Sequence, residues 1–218
     1  MVRMQPLPAQ SHLRLPLNRL LANGGAVRVL RALCLYGGPL GTSQIAQETG
    51  MTPQGTRLAM ETLLGLQIVR AIGQGRANLY EFDLRHPLAG ALKNLFVAEK
   101  ENWEALLQAL RSVMGKFKAV VAAWYYGSVA RGEDAPRSDF DLAVVVNGDV
   151  EAMVDALHEA LHALEASMAV TFSVVGVALA DVPGMASDNA WWQEMARDAK
   201  TLKGMPPDRL VQRLGKPA

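Results

Sequence analysis

The sequence has one cysteine, no long apolar run and no low-complexity tract, and each absence excludes a class of protein. Cys34 is the only cysteine among 218 residues, so no internal disulfide can form and a reduced, cytoplasmic setting is expected. No apolar run approaches the ~20 residues that span a bilayer, and the first residues lack the apolar core of a secretory signal. With 50% hydrophobic and 20% charged residues, the composition predicts a globular protein without a membrane partner.

Lysine is absent from the first 86 residues, and the two parts of the chain differ in charge. Residues 1–86 contain nine arginines against four acidic residues, a balance of +5. Residues 87–218 contain thirteen basic and seventeen acidic residues, a balance of −4, which together give the net charge of +1. A basic and an acidic part indicate two functions, although chance alone can produce an imbalance of this size.

The N-terminal part is predicted to form three helices followed by a β-hairpin. Apolar residues recur at helical spacing in three segments, each bounded by residues that favour helix ends. These residues are Gly37-Gly38 after the first helix, Thr42 and Gly50 around the second, and Thr52 and Pro53 at the start of the third. Two short strands then flank residues 73–76, which form a turn with Arg76 at its tip.

This order of elements resembles the winged helix-turn-helix domain over residues 17–85. The resemblance implies that helix 52–66 enters the major groove of double-stranded DNA, while Arg76 reaches a flanking phosphate or the minor groove. The other side chains expected to face bases or phosphates are Thr52, Gln54, Thr56 and Arg57. Gln67 departs from the family, which usually has glycine there, and predicts a weaker C-cap. A winged helix used only for protein contact is the alternative.

A long helix begins near Pro87, and strands and helices alternate after it. The helix has a broad apolar stripe that packs on the second domain or on a symmetry mate in a homodimer, and it is expected to join the two parts semi-rigidly. The alternation predicts an α/β domain with a small mixed sheet. We therefore predict a mixed α+β protein with a winged-helix domain (17–86), a connector helix (87–116), an α/β domain (117–204) and a C-terminal tail (205–218).

The segment YGSVARGEDAPRSDFDLAVVV, residues 126–146, contains the candidate site. Alternate side chains of a strand share a face, so Asp139 and Asp141 project together, with Cα atoms ~6.5–7 Å apart. Two carboxylates can hold a hard divalent cation, and Mg²⁺ is the usual metal of phosphate chemistry. Gly127 lets the backbone approach a phosphate, Ser128 adds a hydroxyl, and Arg131 is a mobile cation nearby. An ordinary strand entered through a polar loop is the alternative.

The same segment resembles the minimal nucleotidyltransferases of the DNA polymerase beta superfamily. The matching residues are Gly127-Ser128, the Arg-Gly pair after it and the Ser-Asp-x-Asp-Leu run, within a resemblance over about residues 105–204 that includes a closing helix in WWQEMARDAKTLKG. It implies that Gly127 and Ser128 hold nucleotide phosphates and that Asp139 and Asp141 bind Mg²⁺ or Mn²⁺. A hydroxyl of a protein, RNA or small molecule would attack the α-phosphorus of an NTP and release pyrophosphate. A HEPN-type protein partner in a toxin–antitoxin module is also implied.

One residue of the family pattern is missing. The third carboxylate belongs on the next strand, which here reads Val170-Thr171-Phe172-Ser173-Val174. Thr171 and Ser173 occupy its polar positions, and hydroxyls are poor replacements for a carboxylate as Mg²⁺ ligand or base. Two hypotheses follow: an enzyme, weak or inactive without the acid, or a transcriptional regulator whose degenerate domain senses a nucleotide.

A competing motif is His-Glu-x-x-His at residues 158–162. On a helix, His158 and His162 lie one turn apart and could hold Zn²⁺, with Glu159 as the general base of a metalloprotease. No histidine follows, and we expect both rings on the solvent side of the helix. The remaining candidates for a third ligand are Asp181, Asp188 and Glu194.

Overall fold

The computed structural model describes residues 15–73 and 78–215, which divide into two compact units, with the boundary between Glu101 and Asn102. Among the described residues, no helix is both long enough and apolar enough to cross a membrane. The elements of the first unit are α1 (Leu17–Leu21), α2 (Gly24–Tyr36), β1 (Leu40–Gly41), α3 (Thr42–Thr49), α4 (Pro53–Gly65), β2 (Val69–Ile72), β3 (Leu79–Phe82) and the first part of α5 (Ala89–Lys116).

The first unit has the winged-helix arrangement that the sequence predicts. Helices α2, α3 and α4 pack around one apolar core, and β2 and β3 form the predicted antiparallel hairpin. A third strand, β1, pairs with β3 and gives the sheet order β1-β3-β2. With only two residues, β1 has no alternation that a sequence pattern could reveal. The fully buried residues at the centre of this core are Val29, Leu30, Leu33, Ile45 and Leu63.

Most helix ends in this unit lie where the sequence predicts them. Gly37 and Gly50 follow α2 and α3 with φ of 76° and 63°, the left-handed backbone that glycine adopts without strain. The Thr52 hydroxyl accepts a hydrogen bond from the Gly55 N–H at 3.2 Å, which makes Thr52 the N-cap of α4, and Pro53 follows it.

Two helix ends need separate explanations. Thr42 is not the N-cap of α3; that position is Gly41, whose N–H donates to Gln44 Oε1 at 3.0 Å. After α4, Gln67 has φ of +56° and its N–H donates to the Leu64 carbonyl, which closes the helix. Gln67 therefore adopts the left-handed conformation that glycine would adopt more easily, at a cost of about 1–2 kcal/mol for an L-residue.

The second unit is an α/β domain around a four-stranded mixed sheet. The strand order is β6-β5-β4-β7, with β5 and β6 parallel and the other pairs antiparallel, as the sequence predicts for a small mixed sheet. It also contains the second part of α5. Its other elements are β4 (Val120–Tyr126), α6 (Gly127–Arg131), β5 (Phe140–Val146), α7 (Val150–Met168), β6 (Phe172–Ala178), α8 (Val182–Asp188), α9 (Ala190–Asp198), β7 (Lys200–Lys203) and α10 (Pro207–Leu214).

Both faces of this sheet are covered by helices, which explains the continuous apolar run of β5. Leu142 and Val144 point into a core shared with α5 and α7. Ala143 and Val145 point into a second core, shared with α8, α9 and α10. Asp141 has the same parity as Ala143 and Val145, so the strand pleat directs its side chain to the face that α9 covers.

The C-terminal end of the domain differs from the prediction in two ways. The closing helix ends before Lys200–Lys203, which forms β7 on β4 and completes the edge of the sheet. A four-residue strand with mixed residues has no strong pattern of its own, and pairing with β4 decides its conformation. The predicted tail, 205–218, includes α10, which buries Leu210 in the second core.

Candidate functional site

Asp139 and Asp141 lie at the start of β5, on either side of Phe140. The Phe140 ring is 1% exposed and anchors this end of the strand in the core, while Asp139 is exposed and Asp141 is half-buried. In the sheet, Asp141 is in register with Tyr126 on β4 and with Ser173 on β6. The structure thus brings the second aspartate beside Ser173, one of the two positions where the resemblance implies an acid.

Gly127 lies close to the carboxylate of Asp141. Its φ is +73°, and a Cβ built on it would lie 2.5 Å from Asp141 Oδ2. No side chain fits at that distance without displacing the carboxylate. Glycine is therefore required twice, for the left-handed backbone and for the close approach to Asp141. Ser128 follows in the first turn of α6 and is half-buried.

The pair of aspartates is electrostatically unfavourable without a cation. Burial, and then the neighbouring Asp139 charge, raise the pKa of Asp141, while the Arg131 charge opposes the shift. Because the folded chain holds this proton more tightly than the unfolded chain, ionisation of Asp141 destabilises the fold as the pH rises through its pKa. A divalent cation between the carboxylates would relieve both effects.

The donor set fits Mg²⁺ better than it fits a metal enclosed by protein. The described residues contain no group of three His, Cys, Asp or Glu side chains that could hold a metal ion. Mg²⁺ is usually held by one or two carboxylates together with substrate phosphates and water. Asp139 and Asp141 would supply the carboxylates, and Ser173 supplies only a hydroxyl at the neighbouring position.

Arg131, which the sequence predicts as a mobile cation beside the site, forms hydrogen bonds with two carboxylates in the structure. Its Nε–H donates to Glu133 Oε2 at 2.7 Å, and its Nη1–H donates to Asp198 Oδ2. The hydrogen bond from Arg131 is also the main cause that lowers the pKa of Asp198. Sequence reasoning placed Asp198 in the closing helix but missed its contact with Arg131, which lies 67 residues away in the chain.

An aromatic contact lies at the other end of residues 126–131, the last residue of β4 and the five of α6, which are together called the loop. Trp191 Nε1–H donates to Tyr126 Oη at 3.3 Å, and the two rings meet edge to face with centroids 5.9 Å apart. Burial is the main cause that raises the pKa of Tyr126, and the Asp141 charge contributes in the same direction. This loop, residues 126–131, is therefore contacted at both ends by residues of α9.

The side chains predicted to face DNA do not all reach the surface. Thr52, Gln54 and Arg57 are exposed at the N-terminal end of α4. Thr56 is 0% exposed and its hydroxyl donates to the Thr52 carbonyl at 3.0 Å, so its prediction as a DNA contact is wrong. Arg76 lies outside the described residues.

The His-Glu-x-x-His segment does not form a zinc site within the part of the chain that the structure describes. His158 and His162 are exposed on α7, as expected for its solvent side. Among the described residues, no cluster of three potential metal ligands includes either histidine. None of the three acidic candidates therefore serves as a third ligand. These candidates were Asp181, Asp188 and Glu194.

Residues 108–178 match the protein family described as polymerase beta, nucleotidyltransferase. The match begins within α5 and extends through β6, so it includes Gly127, both aspartates and Ser173. No curated protein sequence matches the chain.

Two solved structures are similar to parts of this chain. A toxin–antitoxin crystal structure with AMP-PNP is 14% identical, with 49% of this chain and 82% of that chain covered and a TM-score of 0.38. The homodimeric winged helix-turn-helix domain Mb0332 from Mycobacterium bovis, a possible ArsR-family regulator, is 23% identical, with 45% and 95% covered and a TM-score of 0.34. The family match is the stronger finding, and it identifies residues 108–178 as a stretch similar to the polymerase beta nucleotidyltransferase family.

Proposed function

We propose that the protein binds an NTP with Mg²⁺ in its C-terminal unit, transfers NMP to a hydroxyl group, and binds double-stranded DNA through its N-terminal unit. The acceptor would be a protein, an RNA or a small molecule. The observation that supports this best is the backbone of Gly127 against the carboxylate of Asp141, with Asp139 beside it. A HEPN-type partner and a homodimer stay predictions from the family resemblance.

Each residue of the site has a role in this proposal. The backbone at Gly127 and Ser128 would hold phosphate oxygens, and Arg131 would add a positive charge at the end of α6. Asp139 and Asp141 would hold Mg²⁺, which neutralises charge on the phosphates when bound. At the third position Ser173 has no carboxylate that could accept a proton from the attacking hydroxyl, so positioning and charge neutralisation would provide the catalysis.

The second candidate function is nucleotide sensing by a transcriptional regulator. The observation that favours it is the register of Asp141 with Ser173, which leaves the neighbouring strand without an acid. In that case the same residues would bind the nucleotide without transferring it, and binding would change the DNA affinity of the protein.

Replacing both aspartates with asparagine distinguishes these functions. The protein is incubated with each α-³²P-NTP, Mg²⁺ or Mn²⁺ and cell lysate, and nucleotide binding is measured separately by calorimetry. For the enzyme, we expect radioactive product that disappears in the Asp139→Asn/Asp141→Asn variant, because two Mg²⁺ ligands are lost. The matched control is Asp134→Asn/Asp155→Asn, the same charge change at two exposed positions. Binding without product supports the sensor, and absence of both contradicts the proposal.

The DNA-binding part is tested at Arg57. A duplex is selected by the protein from a random-sequence library, and its affinity is measured by fluorescence polarisation at several salt concentrations. Arg57→Ala should weaken binding by about tenfold and reduce the salt slope by about one, as expected for one lost phosphate or base contact. Arg28→Ala, at an exposed position of α2, is the control with the same charge change. Equal affinities of the two variants would count against α4 as the recognition helix.

A further inference from the structure

Helix α9 contacts both ends of the loop that carries Gly127 and Ser128. Trp191 and Asp198 are seven residues apart, which is two helical turns, so they lie on the same face of α9. Trp191 contacts Tyr126, the first residue of the loop, and Asp198 contacts Arg131, the last residue of α6. One face of α9 therefore holds the loop from Tyr126 to Arg131 at two points.

Helix α6 is short, and its apolar contact with the core is through the half-buried Val129. It has five residues, and none of them is buried. It ends at Gly132, whose φ of +70° turns the chain away into the exposed segment 133–137. A single half-buried turn of helix has little apolar area to fix its position, and such segments open easily unless other groups tether them.

The two carboxylates that contact Arg131 are not equivalent. Glu133 is two residues away, and its side chain is 65% exposed, whereas the Asp198 side chain is 10% exposed and belongs to a packed helix. An exposed ion pair is screened by water and contributes little to order. The contact with Asp198 is therefore the one that determines where the Arg131 guanidinium lies.

The ion pairs leave most of the guanidinium available. Arginine has five N–H donors, and the two carboxylates use one on Nε and one on Nη1. The Nη2 group and the second Nη1 hydrogen are not used by these bonds. An arginine held in this way can still bind phosphate, and less conformational entropy is lost when it does so.

We propose that Asp198 is a positioning residue, which holds Arg131 in the orientation that binds the triphosphate, and that α9 is thereby part of the nucleotide site. This inference rests on the proposed function of the C-terminal unit. Asp198 does not touch the nucleotide itself; it acts through Arg131, while Trp191 holds the opposite end of the loop through Tyr126.

The test uses Asp198→Asn in the full-length protein, with Glu133→Gln as the control that removes the exposed partner of the same arginine. Calorimetric titration with ATP, GTP, CTP and UTP in the presence of Mg²⁺ gives the affinities. Titrations are repeated with Arg131→Gln and with the double variant. Amide hydrogen exchange of residues 127–132, measured without nucleotide, reports whether the loop is less ordered.

We expect Asp198→Asn to weaken NTP binding by about tenfold in the native background and to have no effect in the Arg131→Gln background. Exchange at residues 127–132 should be faster than in the Glu133→Gln control, with a melting temperature close to that of the native protein. Unchanged or tighter NTP binding would overturn the inference, and so would an equal loss in both backgrounds. If the native protein binds none of the four NTPs, the proposed function fails first, and this inference fails with it.

Discussion

The Gly127→Ala variant is expected to lose about 100-fold in NTP affinity and about 2–4 kcal/mol in the free energy of unfolding of the C-terminal unit. The backbone at Gly127 has φ of +73°, and the added methyl group would lie 2.5 Å from Asp141 Oδ2. Either the loop or the carboxylate has to move. Both movements separate the groups proposed to hold phosphate from those proposed to hold Mg²⁺, so a single methyl group should affect stability and binding together.

Gly132 provides a matched control for this variant. Its φ is +70°, nearly the same as that of Gly127, but a Cβ there would meet nothing within 4 Å. Gly132→Ala therefore measures the cost of the left-handed backbone alone, about 1–2 kcal/mol. Urea denaturation of both variants, and of Gly127→Ala in an Asp141→Ala background, separates strain from the clash. Equal stability losses for the two glycine variants would contradict the close contact between Gly127 and Asp141.

Local patterns in the sequence predicted the parts of this protein that depend on neighbours in the chain. Caps such as Gly37 and Thr52 and the alternation at residues 139–142 are set within a few residues, and the structure agrees with them. The prediction for Thr56 was wrong although its signal was present. Thr56 is spaced three, four and seven residues from the apolar buried residues of α4, the spacing of a buried face.

Other features could not be predicted because they depend on distant parts of the chain. Asp198 and Trp191 contact residues more than sixty positions away, and neither stands in a pattern that names its partner. The same applies to β7, since a strand of four mixed residues is determined by pairing with β4. The candidate ligands could thus be found from the sequence, whereas the contacts between α9 and their loop could be found only from the structure.

Ser173→Asp is expected to raise Mg²⁺-dependent NMP transfer by about 100-fold, if the missing acid limits the rate. Asp141 and Ser173 are register partners on adjacent parallel strands, so their side chains leave the same face of the sheet about 4.8 Å apart at the backbone. Ser173 is half-buried there, which leaves part of the position open to solvent. An aspartate would add a third carboxylate beside the other two, and a positioned base typically contributes 10²–10⁴-fold.

The same substitution should destabilise the protein when no metal is present. A third negative charge near Asp141 disfavours its ionised form further, because burial and Asp139 already raise its pKa. We therefore expect a lower melting temperature than in the native protein at neutral pH, a smaller loss at lower pH where the acids are protonated, and a larger stabilisation by added Mg²⁺. Radioactive transfer assays and thermal denaturation with and without Mg²⁺ measure both effects.

Two controls separate charge from size and position. Ser173→Asn has nearly the same volume as the aspartate variant without its charge, and it should neither increase transfer nor increase the response to Mg²⁺. Thr171→Asp adds the same charge two residues earlier in the chain, at the exposed position directly before β6. If Thr171→Asp raises the rate of transfer and Ser173→Asp does not, the third carboxylate belongs at residue 171 and not at residue 173. A native rate and a native Mg²⁺ response in both aspartate variants would mean that the missing carboxylate is not what limits this site, and would favour the nucleotide-sensing function instead.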